Sequence, residues 1–354
     1  MIQLNETPVR TSQNFHINNV KIEATVVPKV FSRFENVKIK EEGTNCQVSN
    51  NATSISESSL TYGISKDFET MVKENANQKI HIDFSSNQNN VTIEFGFNKE
   101  NDALLDEIEV CTHSNAKGNL VIKYTREDDG AYFHNGILKI LAEENTTLHV
   151  TIINFLSKTS NHFMSIQNEL AENSQVTYTI VDFGGKHSVT NYFSNLLGDS
   201  SVNDIKTIYL GTDEQLFDLN YIGELRGKKS VINIDVQGAL KDSAKKHFKG
   251  TIDFKKGAKK AKGDENEFCM LLSPKAKSLA LPMLLCSEED VEGNHASSAG
   301  KIGEKELFYI MSRGFELKEA MKLMVRARFN HIISEIENET IREEILEEID
   351  RRLD

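Results

Sequence analysis

The chain contains no tryptophan and only four prolines among 354 residues. Its four cysteines (Cys46, Cys111, Cys269 and Cys286) are scattered, with no CxxC pair. That spacing reads as reduced thiols in a cytoplasmic protein and not as a disulfide framework. No run of about 18 apolar residues is present to span a bilayer as a helix. Basic charge is also scarce, with 41 Lys+Arg against 53 Asp+Glu and a net charge of -12. This argues against nucleic acid as the main partner. The first residues, MIQLNETPVR, show no basic region leading into an apolar stretch, so the expectation is a cytoplasmic protein without a secretory signal. No GxxxxGK[ST] loop occurs, so nucleotide hydrolysis would have to come from another chain.

What is abundant is short strands. From about Ile80 to Cys286, runs such as HIDF, VTIEFGF, LVIKY, LHVTIINF and VINIDV alternate with Asn, Asp, Gly and Ser. Period-2 patterning between turn residues is a strand signal. Four segments can be laid above one another: ENTTLHVTIINF, ENSQVTYTIVDFG, DSSVNDIKTIYLG and KKSVINIDVQG. Thr147, Ser174 and Ser201 recur at one spacing, as do Gly184, Gly211 and Gly238. A second set, FMSIQNEL, VTNYFSNLL and FDLNYIGEL, falls between them. A unit this short cannot bury its own apolar face, whereas stacked copies build a continuous core. The fold class is therefore mainly β: a parallel β-helix, right-handed as parallel crossovers are. A β-sandwich with recurring strands is the alternative.

The pattern divides the chain into a weakly patterned N-terminal region (1–75), a β-helix core (76–303) and a C-terminal helical module (304–354). In the first region we expect strands near Val20–Val27 and Val37–Ile39, a serine-rich loop at Ser54–Ser59 and a short helix over Asp67–Asn75. After Gly303 the period becomes helical. Gly314 suits a helix C-terminus. A helix over Glu316–Glu335 carries Leu317, Met321, Met324, Ile332 and Ile336 near one face. Asn338 caps a last helix with the stripe Ile341, Ile345, Ile349 and Leu353. Such helices would cover the open end of the solenoid or dock a partner.

One segment carries a resemblance. Leu271–Gly314 reads LLSPKAKSLALPMLLCSEEDVEGNHASSAGKIGEKELFYIMSRG. Its strand, Pro282, the EEDV turn, the histidine followed by small residues and the ELFYIMSRG ending together resemble the C-terminal core of the SufB/SufD family. HFKGTIDFKKGAKKAKGDE resembles that family's last rungs. The histidine followed by alanine and the SRG ending are more similar to the SufD branch, KIGE to SufB. The resemblance implies a non-enzymatic scaffold for iron–sulfur cluster assembly, paired with a SufB-like chain and carrying a SufC-type ATPase. A homodimer in isolation stays open, and neither nucleic acid nor membrane is expected as a partner. No tightly bound cofactor is expected, only a transient cluster or iron at the partner interface. The alternatives are a β-helix carbohydrate-active enzyme and a structural paralogue without cluster chemistry.

His295 matches the family histidine at the scaffold interface and is the candidate cluster-assembly and metal-ligating residue. The bland reading is a hydrogen-bonded histidine at the solenoid end. Cys286 is a second candidate ligand, although its alignment favours a buried small hydrophobe, and Cys269 and Cys111 read the same way. Positions where relatives carry functional cysteines hold Gly293 and Ala276. Glu288, Glu289 and Asp290 read as a solvated turn. The lysines from Lys241 to Lys262 read as exposed rung edges and loops, with Phe248 and Phe254 in strand register. Leu307, Phe308, Tyr309 and Arg313 are the implied ATPase-docking residues, with Leu307 and Phe308 facing the core and Tyr309 and Arg313 facing the partner.

Overall fold

The computed structural model describes residues 1–11, 16–43, 46–50, 59–85 and 89–354. The expected loop at Ser54–Ser59 lies outside them up to residue 58. Two short strands, β1 (Ile2–Leu4) and β2 (Val20–Ile22), pair antiparallel near the start. Among the described residues, everything else in strand conformation belongs to two nine-stranded sheets. The first holds β3 (Val37–Glu42), β6 (Asn89–Phe97), β8 (Lys117–Arg126), β10 (Thr147–Asn154) and β12 (Gln175–Asp182). It continues through β14 (Val202–Gly211), β16 (Val231–Leu240), β18 (Lys262–Leu271) and β20 (Glu292–Lys301). The second holds β4 (Cys46–Asn50), β5 (Gln78–Phe84), β7 (Ala103–Thr112), β9 (Phe133–Ala142) and β11 (Asn161–Leu170). It continues through β13 (His187–Leu196), β15 (Leu216–Leu225), β17 (Lys245–Phe254) and β19 (Lys277–Cys286).

From β5 onward the chain alternates between the sheets, and each strand pairs in parallel with the strand two places on. The result is a parallel β-solenoid of about eight turns. Val181 pairs with Ile208 in parallel, which excludes the sandwich. The antiparallel strands β3 and β4 close the first turn.

The repeat seen in the sequence has a physical cause at one corner of each turn. Thr146, Ser174, Ser201 and Ser230 are buried, and each hydroxyl donates to the carbonyl three residues earlier. The residues just before them, Asn145, Asn173, Ser200 and Lys229, all have positive φ. Asn tolerates this left-handed conformation better than most side chains. Thr146, not Thr147, is thus the counterpart of Ser174, because Thr147 pairs with Gln175. Gly238 likewise pairs with Tyr209 instead of matching Gly211. The strand-to-strand spacing varies with turn length, so a fixed repeat slips by a residue or two.

Inward-facing apolar side chains, including Ile82, Ile122, Tyr178, Tyr209 and Phe248, fill the lumen. Many outward-facing residues are apolar too, and part of each sheet is covered from outside. Leu4, Val20, Leu60, Phe68 and Val72 of the N-terminal region pack on Leu105, Phe133 and Phe163 of the second sheet. This region includes α1 (Lys66–Asn75), where the Ser65 hydroxyl caps the Phe68 amide. The C-terminal chain forms α2 (Glu304–Ser312), α3 (Leu317–Ile333) and α4 (Glu339–Leu353). Gly314, at φ 98, ends α2, and Asn338 caps α4 through the Ile341 amide.

Helices α3 and α4 do not cap the open end of the solenoid. They lie along the outer face of the first sheet, with Val325, Phe329, Ile332, Ile345 and Ile349 against Ile153, Phe155, Val181, Phe183 and Ile208. The buried stripe of α4 is the one expected. That of α3 is as expected at Ile332 and Ile336 but departs at its start, where Leu317 is 47% exposed and Val325 and Phe329 take the core positions.

Candidate functional site at the open end of the solenoid

The last turn is formed by β19 and β20, which are the terminal strands of their sheets. Among the described residues no strand pairs with their outer edges. Such edges present unpaired backbone donors and acceptors and are templates for another chain. Pro282 fits here because an edge strand tolerates a missing donor. β20 has little strand propensity in EGNHASSAGK, yet pairs residue for residue with β18. The preceding rung imposes its conformation.

In register, His295 stands over Glu265, Ser297 over Glu267 and Ala299 over Cys269. On the other sheet Leu284 stands over Ile252 and Cys286 over Phe254. Glu265, Glu267 and Cys269 are fully buried and face the lumen, so His295 and Ser297 occupy the same inward column one rung further out. With no next rung above it, His295 is exposed. The Ser297 hydroxyl donates to Glu267 Oε2 at 2.7 Å.

Cys286 is exposed at the end of β19, and its thiol donates to the Glu288 carbonyl at 2.9 Å. The expectation of a buried small hydrophobe is thus corrected, since no further rung covers this column. It holds for Cys269, which is buried, and fails for Cys111, which is half-buried on the outer face. His295 and Cys286 share the solenoid rim but belong to no group of three or more ligating side chains among the described residues. Gly293 also lies on the rim. A Cβ there would stand 3.0 Å from Leu284 and 3.1 Å from Phe254, so a cysteine at this position needs Leu284 to shift.

Under the rim lies a charged layer that sequence reasoning missed. Lys246 and Lys249 are fully buried, contrary to the expectation of exposed lysines. Lys246 Nζ donates to Glu267 Oε1 at 2.6 Å. On the outer face of the same strand, Lys249 Nζ donates to Asp218 Oδ1 and to the Asn5 carbonyl of the N-terminal region. Each ammonium is offset by a carboxylate, without which burial at this depth would be prohibitive. Glu265 has no hydrogen-bond partner for either oxygen. Burial, and then the neighbouring Glu267, push its carboxyl up to about 8, against the pull of Lys246. A protonated carboxyl thus sits directly beneath His295 near neutral pH.

The acidic turn Glu288–Asp290 is held to the previous rung, with Gly257 N donating to Glu288 Oε2 and Lys260 N to the Asp290 carbonyl. The turn reading stands. Just beyond the rim, α2 has no buried residue. Leu307 is partly covered, while Phe308 is 73% and Tyr309 59% exposed. Arg313 stacks on Tyr309, and its guanidinium donates to the Tyr309 hydroxyl at 3.0 Å. Phe308 therefore faces solvent and not the core.

A two-sheeted parallel solenoid ending in an uncovered, histidine-bearing rim and followed by an exposed helix defines the class as a parallel β-solenoid with one open end. Residues 95–328 match the family described as "SUF system FeS cluster assembly, SufBD core domain", and the chain belongs to that family. It is similar to the iron-sulfur cluster assembly protein SufD of Bacillus subtilis, 27% identical over 220 residues, covering 62% of this chain and 50% of that one. It is also similar to SufD of Escherichia coli, 21% identical over 239 residues, covering 67% and 56%. A third relative is a SufBD family protein of Pyrococcus horikoshii, 25% identical over 206 residues, covering 57% and 45%. The chain spans about half the length of the curated relatives it matches.

Proposed function

We propose that this chain is a SufD-like, non-enzymatic scaffold that joins a SufB-like chain through its open end and contributes His295 to iron–sulfur cluster assembly there. The observation that carries this reading is the last turn. Two unpaired strand edges border a lumen-facing column that ends in the exposed His295, in a chain of the SufBD family. The cluster, or iron, is cargo held transiently at the joined interface. A neutral imidazole can ligate iron, and its pKa range also allows it to move a proton. Cys286 is the thiol of this chain nearest in position to such a role, being exposed on the same rim.

The exposed α2, with Leu307, Phe308, Tyr309 and Arg313, is proposed to dock a SufC-type ATPase, which supplies the nucleotide chemistry for which this sequence has no P-loop. We place the work of the complex in the cytoplasm. No helix among the described residues is long and apolar enough to cross a membrane. A structural paralogue without cluster chemistry is the second reading, favoured by Gly293 and Ala276 standing where relatives carry thiols.

The test is coexpression with a SufB-like chain and a SufC-type ATPase, followed by copurification, iron content and visible absorption after reconstitution. A ternary complex that assembles a cluster supports the scaffold reading. A complex that forms but never carries iron supports the structural paralogue. Failure to bind either partner overturns both docking assignments.

A further inference from the structure

The first turns of the solenoid carry a cluster unrelated to the rim. β5 reads QKIHIDF, and its alternate residues Ile80, Ile82 and Phe84 fill the core, so His81 and Asp83 face outward. β7 pairs with it in register, His81 with Glu109 and Asp83 with Cys111. Two outward pairs thereby meet on neighbouring strands. Among the described residues, His81, Asp83 and Cys111 are the one group of three whose ligand atoms all lie within 4.8 Å of one another.

Their surroundings are arranged as metal-binding histidines are. His81 Nε2 is 3.1 Å from Asp83 Oδ2, while its Nδ1 is 3.3 Å from Glu109 Oε2. His113 follows β7, and its Nε2 is 3.0 Å from the other carboxylate oxygen, Asp83 Oδ1. Its Nδ1 is 3.2 Å from Glu143 Oε1. Both rings aim Nε2 at one point, the Asp83 carboxylate; His113 Nδ1 is backed by a hydrogen bond to Glu143, while His81 Nδ1 lies beside Glu109 without one. A carboxylate behind Nδ1 fixes the tautomer that leaves Nε2 free to ligate. Glu143 is itself fixed by the Ser114 amide at 2.9 Å and hydroxyl at 3.0 Å, and Glu109 is almost completely buried.

We propose that His81, Asp83 and Cys111 form a binding site for a divalent transition-metal ion of the zinc class, with His113, which touches Asp83 but stands outside the 4.8 Å group, swinging in as the fourth donor. Nitrogen, sulfur and oxygen donors in fours suit zinc, a borderline-soft ion that structural sites hold in tetrahedral coordination. Glu109 and Glu143 act behind the histidines as positioning residues. The site ties β5, β7 and the turn after β7 together across the outer face, so its role is to clamp the first turns of the solenoid. Burial, then the negative charges of Glu109, Asp83 and Glu143, push the Cys111 thiol up to about 11. A bound cation reverses that field and deprotonates a ligating thiol outright. The site is six strands along its sheet from β19, roughly 30 Å at about 4.8 Å per strand, and does not rest on the proposed role of the rim.

The test uses the full chain, stripped of metal and titrated with cobalt(II) and then zinc. One equivalent of cobalt should give tetrahedral ligand-field bands and a thiolate-to-cobalt charge-transfer band, both lost when zinc displaces it. Cys111→Ser should remove the charge-transfer band, and His81→Ala should abolish stoichiometric binding. Glu109→Gln should weaken affinity by about 10–100-fold while leaving the spectrum intact. Zinc should raise the thermal midpoint of the wild type and not that of Cys111→Ser. Cys286→Ser and His295→Ala should bind as the wild type does. If either rim variant abolishes the signal, or Cys111→Ser retains it, the metal is elsewhere and the assignment is wrong. Absence of any one-equivalent cobalt spectrum in folded wild-type protein overturns it equally.

Discussion

His295 stands over Glu265 in the register of the last two rungs of one sheet, an exposed imidazole above a buried carboxyl that has no hydrogen-bond partner. The pair exists because a solenoid stacks like positions in columns, and because the column stops one rung after the glutamate. Whatever covers the rim closes over both groups at once.

Glu265 makes stability depend on pH. Its folded-state pKa, near 8, lies above the ordinary value of 4.5, so the folded protein holds a proton that the unfolded chain releases. Its stabilising effect is full below about pH 4.5 and is lost as pH rises through about 8. Glu265→Gln keeps the neutral shape and removes this loss. The variant should match the wild type near pH 5 and exceed it by a few kcal/mol, as an order of magnitude, near pH 8. Urea melts at the two pH values check this. Equal pH slopes for both proteins would refute the assignment of the proton to Glu265.

His295→Ala separates assembly from folding. The residue is exposed, so stability should stay within the range of ordinary surface substitutions, about 0.5 kcal/mol. Cluster yield of the complex with a SufB-like chain, read by iron content and visible absorption, should fall sharply. Cys286→Ser should also leave stability unchanged and should lower yield if the rim thiol shares in holding the cargo. Wild-type yield from both variants would leave this chain a structural partner only.

How much of this could be read from the sequence varied with the physics of each element. The rungs were legible because Ser174 and Ser201 fill the same buried corner, and a one-residue error at Thr147 followed from turns of unequal length. β18 and β20 were not legible as strands: KGDENEFCML and EGNHASSAGK have few β-branched residues, and rung pairing supplies what propensity lacks. The burial of Lys246 was hidden because its partner, Glu267, lies across the lumen on the opposite sheet, 21 residues away in sequence. The covered outer faces did leave a signal. Runs such as VTIINF are apolar on both faces, which a strand wet on one side would not be. The cluster of His81 and Asp83 with Glu109 and Cys111 was also within reach, since each pair is separated by one rung, 28 residues by register.

The buried pair Lys246–Glu267 should respond to single and double substitution differently. Lys246→Met strands the Glu267 carboxylate in the lumen beside Glu265, and breaking such a pair costs about 3–5 kcal/mol. Glu267→Gln alone leaves a buried ammonium and should be comparably damaging. The double variant removes both charges and should recover much of the loss, a coupling that chemical denaturation can measure. Additive single effects would show that the two charges do not hold each other.

The docking surface gives the last prediction. Deleting residues 304–354 is a poor probe, because it would also strip α3 and α4 from Ile153, Phe155, Val181 and Phe183 and expose an apolar sheet face. Point changes on α2 avoid this. Phe308 is 73% exposed, so Phe308→Ala removes little packing from the free chain and should leave the melting curve unchanged. An aromatic anchor lost from the centre of an interface costs about 2 kcal/mol or more, roughly thirtyfold in affinity. Arg313→Glu both reverses a charge and releases the guanidinium from the Tyr309 ring, and should slow association in a salt-dependent way. Binding of a SufC-type ATPase to immobilised chain, measured with wild type, Phe308→Ala and Arg313→Glu at two salt concentrations, distinguishes the contributions. If both variants bind as the wild type does while a rim variant such as Leu284→Glu does not, the ATPase docks on the solenoid end, and α2 faces another partner.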